Sequence, residues 1–422
     1  MTNLVCEGPR LARNFKRRYM VRIPTLIASA CVFCSCLSPL AMAQTVRPAA
    51  APLKIGVIGP FTGPSSDFGV PMRNGIELAA EEINAAGGYL GRSLQLVIKD
   101  DQGNPDAGFK GSQELAAEGV IATIGFCNTG VAMKSLDTFQ NAQIPLIVPC
   151  ATGTPVTGKF PGPASYIFRT SAKDSIQAPF VVDDLVKRGW TKVAIFADTT
   201  GYGEAGLKDV EAALASKNLK AAHVARFPLG VKDLKEPLAA ARAAGANVVF
   251  SYTVGQENAV IANGRRELKW EVPQVGAWPL SFPFFIQGAP QAAEGSLMAQ
   301  TFIAEPSNER RAAFLSAYAR KYNQKMAVPM AAAQGNDATY LLTYALFGIR
   351  NGKFDGPLVK AALENIPRVY YGVVATYERP FTLEDKDATT QNMLVMGKVK
   401  AGAVTFAYPE DARRNLFVQR KK

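Results

Sequence analysis

Histidine is nearly absent from this chain: His223 is the only one in 422 residues. A lone imidazole excludes a histidine-based zinc site and leaves serine or cysteine nucleophiles without a general base elsewhere in the chain. His223 lies in AAHVARFPL, a strand-like stretch with no acidic neighbour, and a surface strand position is its expected role. Cysteine is scarce too. Cys6, Cys31, Cys34 and Cys36 crowd the first 36 residues, so only Cys127 and Cys150 remain for the body of the chain. No Lys/Arg run is interleaved with aromatics, which excludes a nucleic-acid footprint. The acidic pairs Glu81-Glu82 and Asp183-Asp184 occupy consecutive helical positions, whose side chains point to different faces and cannot pair for acid–base work. No catalytic set, no metal site and no cofactor are expected.

What is present begins with a leader. Arg10, Arg13, Lys16, Arg17, Arg18 and Arg22 precede an apolar run from Ile23 to Leu40 that ends in Ala41-Met42-Ala43. This is the pattern of a secretory signal peptide over residues 1–43, with Gln44 as the new N-terminus and either Met1 or Met20 as the start. The run is short for a membrane span. Ala28-Ser29-Ala30 before Cys31 is a poor lipid-attachment motif, so a free exported protein is expected over a lipoprotein. The leader carries six of the 47 basic residues and one of the 35 acidic ones, leaving a net charge near +7 on the remainder. That excess is read as solvated surface.

From Lys54 to Pro105 one unit is written out in full. KIGVIGPFTG is a β-rich run breaking into glycines, and PSSDFGVPMRNG reads as a polar loop holding Phe68. IELAAEEINAAGG is a helix stopped by Gly87 and Gly88, and LQLVIKDDQGNP is a strand ending on Asp100 and Asp101. Strand, glycine-rich loop and helix open a parallel α/β sheet, in which ligands sit at the carboxyl ends of strands. The rhythm continues through strands at 119–126, 144–149, 166–171, 192–198 and 246–253, with helices between them. The expected fold class is α/β, two mostly parallel sheets flanked by helices. The stretch YIFRTS (166–171) is a crossing between domains, and the chain returns to the first domain near 295–302.

Two motifs invite a nucleotide reading. Gly153-Thr-Pro-Val-Thr-Gly158-Lys159 matches the start of a P-loop, but Phe160 replaces the Ser or Thr that holds magnesium, and Pro161 and Pro163 prevent the following helix. Gly201-Tyr-Gly203-Glu-Ala-Gly206 follows a strand and opens a helix. The next strand lacks an acid to hold a ribose hydroxyl, and Tyr202 fills the space of a dinucleotide.

Taken in order, GVIGPFTG, NGIELAAEEINAAGG, KDDQGNP, IPLIVPCATGTP and TGYGEAG resemble the periplasmic branched-chain amino acid binding proteins, the type I solute receptors of ABC importers. The likeness spans about residues 53–400. It implies two lobes joined by three hinge crossings, lobe I being 53–168 with 302–372 and lobe II 169–301 with 373–422. It also implies a small-molecule carboxylate ligand, an inner-membrane ABC permease as partner, and a monomer that catalyses nothing. In the family a hydroxyl and backbone N–H groups after the third strand hold the ligand carboxylate. Asn128 and Thr129 occupy that place here, with Asn128 replacing a serine. Cys150, Ala151 and Thr152 match the second grip, Phe68 the first-lobe aromatic and Tyr202 the second-lobe aromatic. Cys127 and Cys150 end neighbouring strands in this fold, where a disulfide or two buried thiols are both open.

One departure bears on the ligand. Amino acid binders of this family place an acid where Trp278 stands, to neutralise the ligand ammonium. A desolvated ammonium without an anion costs several kcal/mol, whereas a tryptophan offers a flat apolar wall. The ligand is thus expected to be a carboxylate, either an amino acid or an aromatic acid lacking the amino group. A sensor lobe serving a separate signalling partner and an exported oxidoreductase built on Gly201–Gly206 are the rival readings. Intact-mass measurement of the exported protein should find a chain beginning at Gln44, and a membrane-retained chain keeping residues 1–43 would refute the leader.

Overall fold

The computed structural model describes residues 51–414 and the backbone of 417–418, so the expected leader and the basic tail lie outside the described residues. The chain runs β1 (Leu53–Gly59), α1 (Ser66–Ala85), β2 (Leu94–Asp100), α2 (Pro105–Ala117), β3 (Ala122–Gly125), α3 (Thr129–Asn141), β4 (Leu146–Val148), a single turn α4 (Pro155–Gly158) and β5 (Ile167–Arg169). Among the described residues these strands make one parallel sheet in the order β2-β1-β3-β4-β5. Apolar runs such as LKIGVIG and LIV suit strands covered on both faces by helices.

The chain then builds a second layer set. It contains α5 (Asp174–Lys187), β6 (Val193–Asp198), α6 (Gly201–Ala215), β7 (His223–Phe227), α7 (Lys235–Ala243), β8 (Val248–Tyr252), α8 (Glu257–Glu267), β9 (Gln274–Gly276), α9 (Pro283–Gly288) and β10 (Leu297–Gln300). Three further helices follow: α10 (Glu309–Tyr322), α11 (Pro329–Leu346) and α12 (Gly356–Glu364). The last strands are β11 (Tyr370–Tyr371), β12 (Thr376–Tyr377), β13 (Val395–Lys400), β14 (Ala403–Phe406) and β15 (Phe417–Val418). The second sheet has the order β14-β13-β10-β9-β8-β6-β7; it is parallel from β7 to β10 and antiparallel at its β13 and β14 edge. Strands β11, β12 and β15 form a small sheet of their own. Among the described residues no helix is long and apolar enough to cross a membrane.

The chain passes between the two large sheets three times: after β5, after β10 and between β12 and β13. The first and third passages are bonded together. Arg169 N–H donates to the Lys386 carbonyl at 2.8 Å, Ala388 N–H to the Arg169 carbonyl at 2.8 Å, and the Thr389 hydroxyl to the Thr170 carbonyl at 2.8 Å. The second passage is held by Gln334 of α11, whose amide donates to the Thr301 hydroxyl at 2.8 Å. The β11–β12 turn is anchored on the buried Asp337 of α11. Its carboxylate accepts from the N–H groups of Val373 (2.7 Å) and Val374 (2.8 Å) and from the hydroxyls of Tyr370 (3.0 Å) and Tyr377 (3.2 Å).

The loop expected at 64–75 is helical. The first helix begins at Ser66 and carries Phe68 in its opening turn, with Pro71 inside it. Sequence breakers misled because they serve packing. A Cβ on Gly69 would stand 2.0 Å from the Pro60 carbonyl oxygen, and one on Gly75 would stand 2.0 Å from the Ala332 carbonyl oxygen of α11. The two helices cross at their backbones there, so a residue without a side chain is required. Likewise α11 starts at Pro329, well before the 338–350 helix expected, because its first turns are buried small residues without an amphipathic period. Gly75→Ala should therefore cost about 1–3 kcal/mol through overpacking, read as a lowered urea midpoint at unchanged m-value.

Candidate functional site

Carboxyl ends of strands from both sheets face each other, and the residues just beyond them line the cleft. On the first side, Asp100 at the end of β2 fixes the loop after β1, accepting from Phe61 N–H at 2.8 Å and the Thr62 hydroxyl at 2.5 Å. That loop delivers Phe68. Beyond β3, Phe126 adopts a left-handed backbone, φ +69°. Such a conformation costs about 1–3 kcal/mol in a non-glycine residue and persists when its surroundings over-determine it. Here Phe126 N–H donates to the Ile58 carbonyl at 2.8 Å, and its carbonyl accepts from Ala151 N–H at 3.0 Å. The kink sends Cys127, Asn128 and Thr129 into the start of α3.

Asn128 is the cap residue of α3, yet its side chain makes no capping bond. Its amide donates to the Ser65 hydroxyl at 3.1 Å, and its Oδ1 is buried without a partner. The first N–H groups of α3 have no acceptor within the helix, which makes this end a ready anion site. Thr129 accepts from Gly153 N–H at 3.2 Å, so the two grips expected after β3 and β4 are joined. Thr152 has its hydroxyl buried beside the Asp174 carboxyl, while its carbonyl accepts from Asp174 N–H at 2.9 Å and from Arg169 Nη1 at 3.0 Å. Ala151 is buried, its carbonyl accepting from the Ser171 hydroxyl at 3.0 Å.

Cys127 and Cys150 are both buried free thiols, so the disulfide the sequence left open is not formed in this structure. Burial pushes the Cys127 thiol up, with Cys150 beside it adding to the shift. The Cys127 sulfur packs 3.5 Å from the Met72 thioether and 3.9 Å from the Phe68 carbonyl.

From the second side come Tyr202, Tyr252 and Trp278. Tyr202 is in the first turn of α6, capped by Thr200, and packs against Tyr252 at the end of β8 with ring centroids 4.9 Å apart. Both phenol hydroxyls are buried, and that of Tyr252 faces the Asp174 carboxyl. Trp278 follows β9 in a one-turn 3-10 helix, Trp278–Ser281, its carbonyl accepting from the Ser281 hydroxyl at 2.7 Å. Its ring meets Phe68 of the other side edge-on at 6.2 Å. Phe282 completes the wall, stacked on Phe68 at 5.0 Å and edge-on to Trp278 at 4.7 Å. The structure thus brings Phe68 and Trp278 together. Sequence reasoning missed Phe282, Tyr252 and Asp174. Tyr252 was discoverable, since it ends a strand of the same sheet face as the residues that were named.

The glycines of the dinucleotide-like motif are explained by packing. A Cβ on Gly203 would lie 2.1 Å from the Asp198 carbonyl oxygen, and one on Gly206 would lie 2.0 Å from the Tyr252 ring. Those positions are filled by the protein itself. Gly201 serves another purpose, for a Cβ there would meet Gly130 Cα of α3 at 3.2 Å. The starts of α3 and α6 touch across the cleft through two glycines, and the Thr154 hydroxyl donates to Asp209 of α6 at 2.7 Å beside them. Among the described residues no group of acids, cysteines or histidine could hold a metal ion.

Two sheets gripping one cleft, with an anion-ready helix start on one wall and aromatic rings on the other, define a two-lobed solute-binding protein. A family model described as periplasmic binding protein matches residues 52–403, and the chain belongs to that family. It is similar to the Leu/Ile/Val-binding protein homolog 3 of Brucella melitensis biotype 1, 33% identical over 219 residues that cover 51% of this chain and 58% of the relative. The match thus spans under two thirds of that relative's length. Its fold is shared with a solute binding protein of an ABC transporter from R. palustris in complex with benzoate (TM-score 0.73, 19% identity, covering 84% of this chain and 95% of that one). It is shared too with an ABC transporter substrate-binding protein from Desulfitobacterium hafniense in complex with Leu (TM-score 0.67, 23% identity, covering 85% of this chain and 100% of that one).

Gly201→Val would place a branched side chain against Gly130 and hold the lobes apart. Small-angle scattering should show a larger radius of gyration for this variant, and its ligand affinity should fall at least about tenfold at unchanged fold stability, because binding is credited only to the closed form.

Proposed function

We propose that this protein is the periplasmic receptor of an ABC importer of the branched-chain amino acid type, and that it closes on a small carboxylate. Lobe I is 53–168 with 302–372, and lobe II is 169–301 with 373–422. The ligand carboxylate meets the start of α3, where backbone N–H groups, Thr129 and the Thr152 hydroxyl converge. Asn128, Cys150 and Ala151 shape that grip, and Tyr202 and Trp278 close over it from the other lobe. Nothing is catalysed: the ligand shifts the open–closed equilibrium, and an inner-membrane permease reads the closed form of a monomer.

The observation that carries the ligand preference is the buried wall of Phe68, Trp278 and Phe282. It offers ring faces and edges to a planar apolar body, and aromatic pairs of this kind add about 0.5–1.5 kcal/mol each beyond burial. The ligand is therefore an aromatic acid lacking the amino group, in preference to a branched-chain amino acid. The neighbours with known complexes span both choices, one holding benzoate and one holding Leu. The oxidoreductase alternative loses its support, since Gly203 and Gly206 are spent on protein contacts.

A thermal-shift panel on the purified protein decides between the two ligands. Benzoate and 4-hydroxybenzoate at 100 times their Kd should stabilise the fold by about 2.7 kcal/mol, with leucine and valine inert. A strong shift with leucine and none with the aromatic acids would overturn the preference.

A further inference from the structure

The second large sheet carries a groove at the amino ends of its strands, the edge away from the cleft. Its volume is about 900 Å³. Gln274, the first residue of β9, and Ser296, the residue before β10, line it. Arg265, in the last turn of α8, lines it as well, with the rings of Trp190 and Trp270 beside it. None of these residues belongs to the walls of the cleft.

Arg265, Gln274 and Ser296 are each more than nine-tenths buried, and each holds a polar atom that no protein group satisfies. A guanidinium has five N–H donors. Arg265 Nη1 donates to the Val272 carbonyl and Nη2 to the Ala292 carbonyl at 3.4 Å, which leaves the others, Nε–H among them, without a protein acceptor. The Gln274 amide nitrogen donates to the Ser251 hydroxyl at 3.1 Å and to the Asn258 carbonyl at 3.2 Å. A carbonyl can only accept, so the amide orientation is fixed and the atom left over is the acceptor Oε1. The Ser296 hydroxyl has no partner at all.

Buried cations are normally paired. Among the described residues no acid pairs with Arg265, and burial acts on it with no negative charge to offset it. The carbonyl end of α8 favours a cation, and the bonds to Val272 and Ala292 tie two loops together. Neither role employs the remaining N–H groups or calls for an open hydroxyl and an open amide oxygen in the same groove. Arg266 and Lys269 add exposed positive charge to the lining. The acids here, Glu271 and Glu294, are exposed, and Glu294 accepts from Ala401 N–H at 3.1 Å.

We infer that this groove is a second binding site, separate from the cleft, for a small oxyanion that carries its own O–H, namely hydrogen phosphate or a hydroxy acid. Arg265 gives charge-assisted N–H bonds to the anionic oxygens, and the Ser296 hydroxyl gives one more. Gln274 Oε1 accepts from the ligand O–H. Arg266 and Lys269 draw the anion in. An oxyanion without an O–H leaves the Gln274 oxygen facing negative charge with no hydrogen between them, and is bound less well for that reason.

NMR mapping of backbone amide shifts in the intact protein, with phosphate, sulfate, glycolate and acetate at constant ionic strength, tests this. Phosphate, glycolate or both should give saturable shifts at 265–274 and 292–296, with a Kd below about 10 mM. Phosphate should bind at least about tenfold tighter than sulfate, or glycolate than acetate, and the pair that separates identifies the source of the oxyanion. Arg265→Lys, which keeps the charge and loses the fork, should weaken binding by about tenfold or more. Ser296→Ala should weaken it by about threefold or more, and it decides the matter if the Arg265 variant does not fold. No saturable shift in the wild-type protein, or shifts confined to the cleft at 126–130 and 150–154, would overturn the site. Equal affinity within both probe pairs, or unchanged affinity in Ser296→Ala, would overturn it as well.

Discussion

One buried guanidinium ties two crossings between the large sheets to the loop after β4. Arg169, at the last position of β5, is inaccessible to solvent and donates to Asp387 at 2.6 Å, to the carbonyls of Thr152 and Gly153 at 3.0 and 2.8 Å, and to the Thr157 hydroxyl at 2.8 Å. The first passage between the two large sheets is thereby joined to the third, through Asp387, and to the loop that carries Thr152. Lys173 adds a second cation to Asp387 at 3.3 Å. A charged pair in such a place is tolerable because its donors are filled; loss of one partner would leave the other charge buried and costs about 3–5 kcal/mol in comparable pairs. The crossings and the loop after β4 are therefore held as one unit.

What closes on that unit is set by small residues as much as by large ones. Gly130 and Gly201 let two helix starts approach until their backbones touch, and Thr154 with Asp209 adds a polar contact beside them. The rings of Phe68, Trp278 and Phe282 then meet across the same gap. Closure of this kind expels water, which strengthens every polar contact inside and also makes an uncompensated charge there costly. Burial penalises charge in the same way at Asp174, whose carboxyl it pushes up to about 7.

Much of this was legible in the chain. Alternating apolar strands and helices announced parallel sheets, and Cys127-Asn128-Thr129 and Cys150-Ala151-Thr152 do follow the carboxyl ends of two neighbouring strands, where a parallel sheet presents ligands. Phe68 was expected in a loop and lies in the first turn of a helix. The helix around it was hidden because Gly69, Pro71 and Gly75 look like breakers when contacts with Pro60 and Ala332 are unknown. The GxGxxG pattern was discounted for want of an acid, and the structure supplies the positive reason in the Asp198 carbonyl and the Tyr252 ring.

The sequence by itself determined the α/β class and the strand ends after which Asn128, Thr152 and Trp278 follow. These are local properties, carried by periodicity and by residue type at strand termini. Only the tertiary structure decided that Arg169 reaches Asp387, that Phe282 and Tyr252 join the walls, that Cys127 and Cys150 lie side by side as free thiols, and that Asp174 is buried without a cation. Each of those depends on elements tens to hundreds of residues apart in the chain, and a carboxyl's ionisation is fixed by the charges and solvent that folding places around it, which no run of neighbouring residues records.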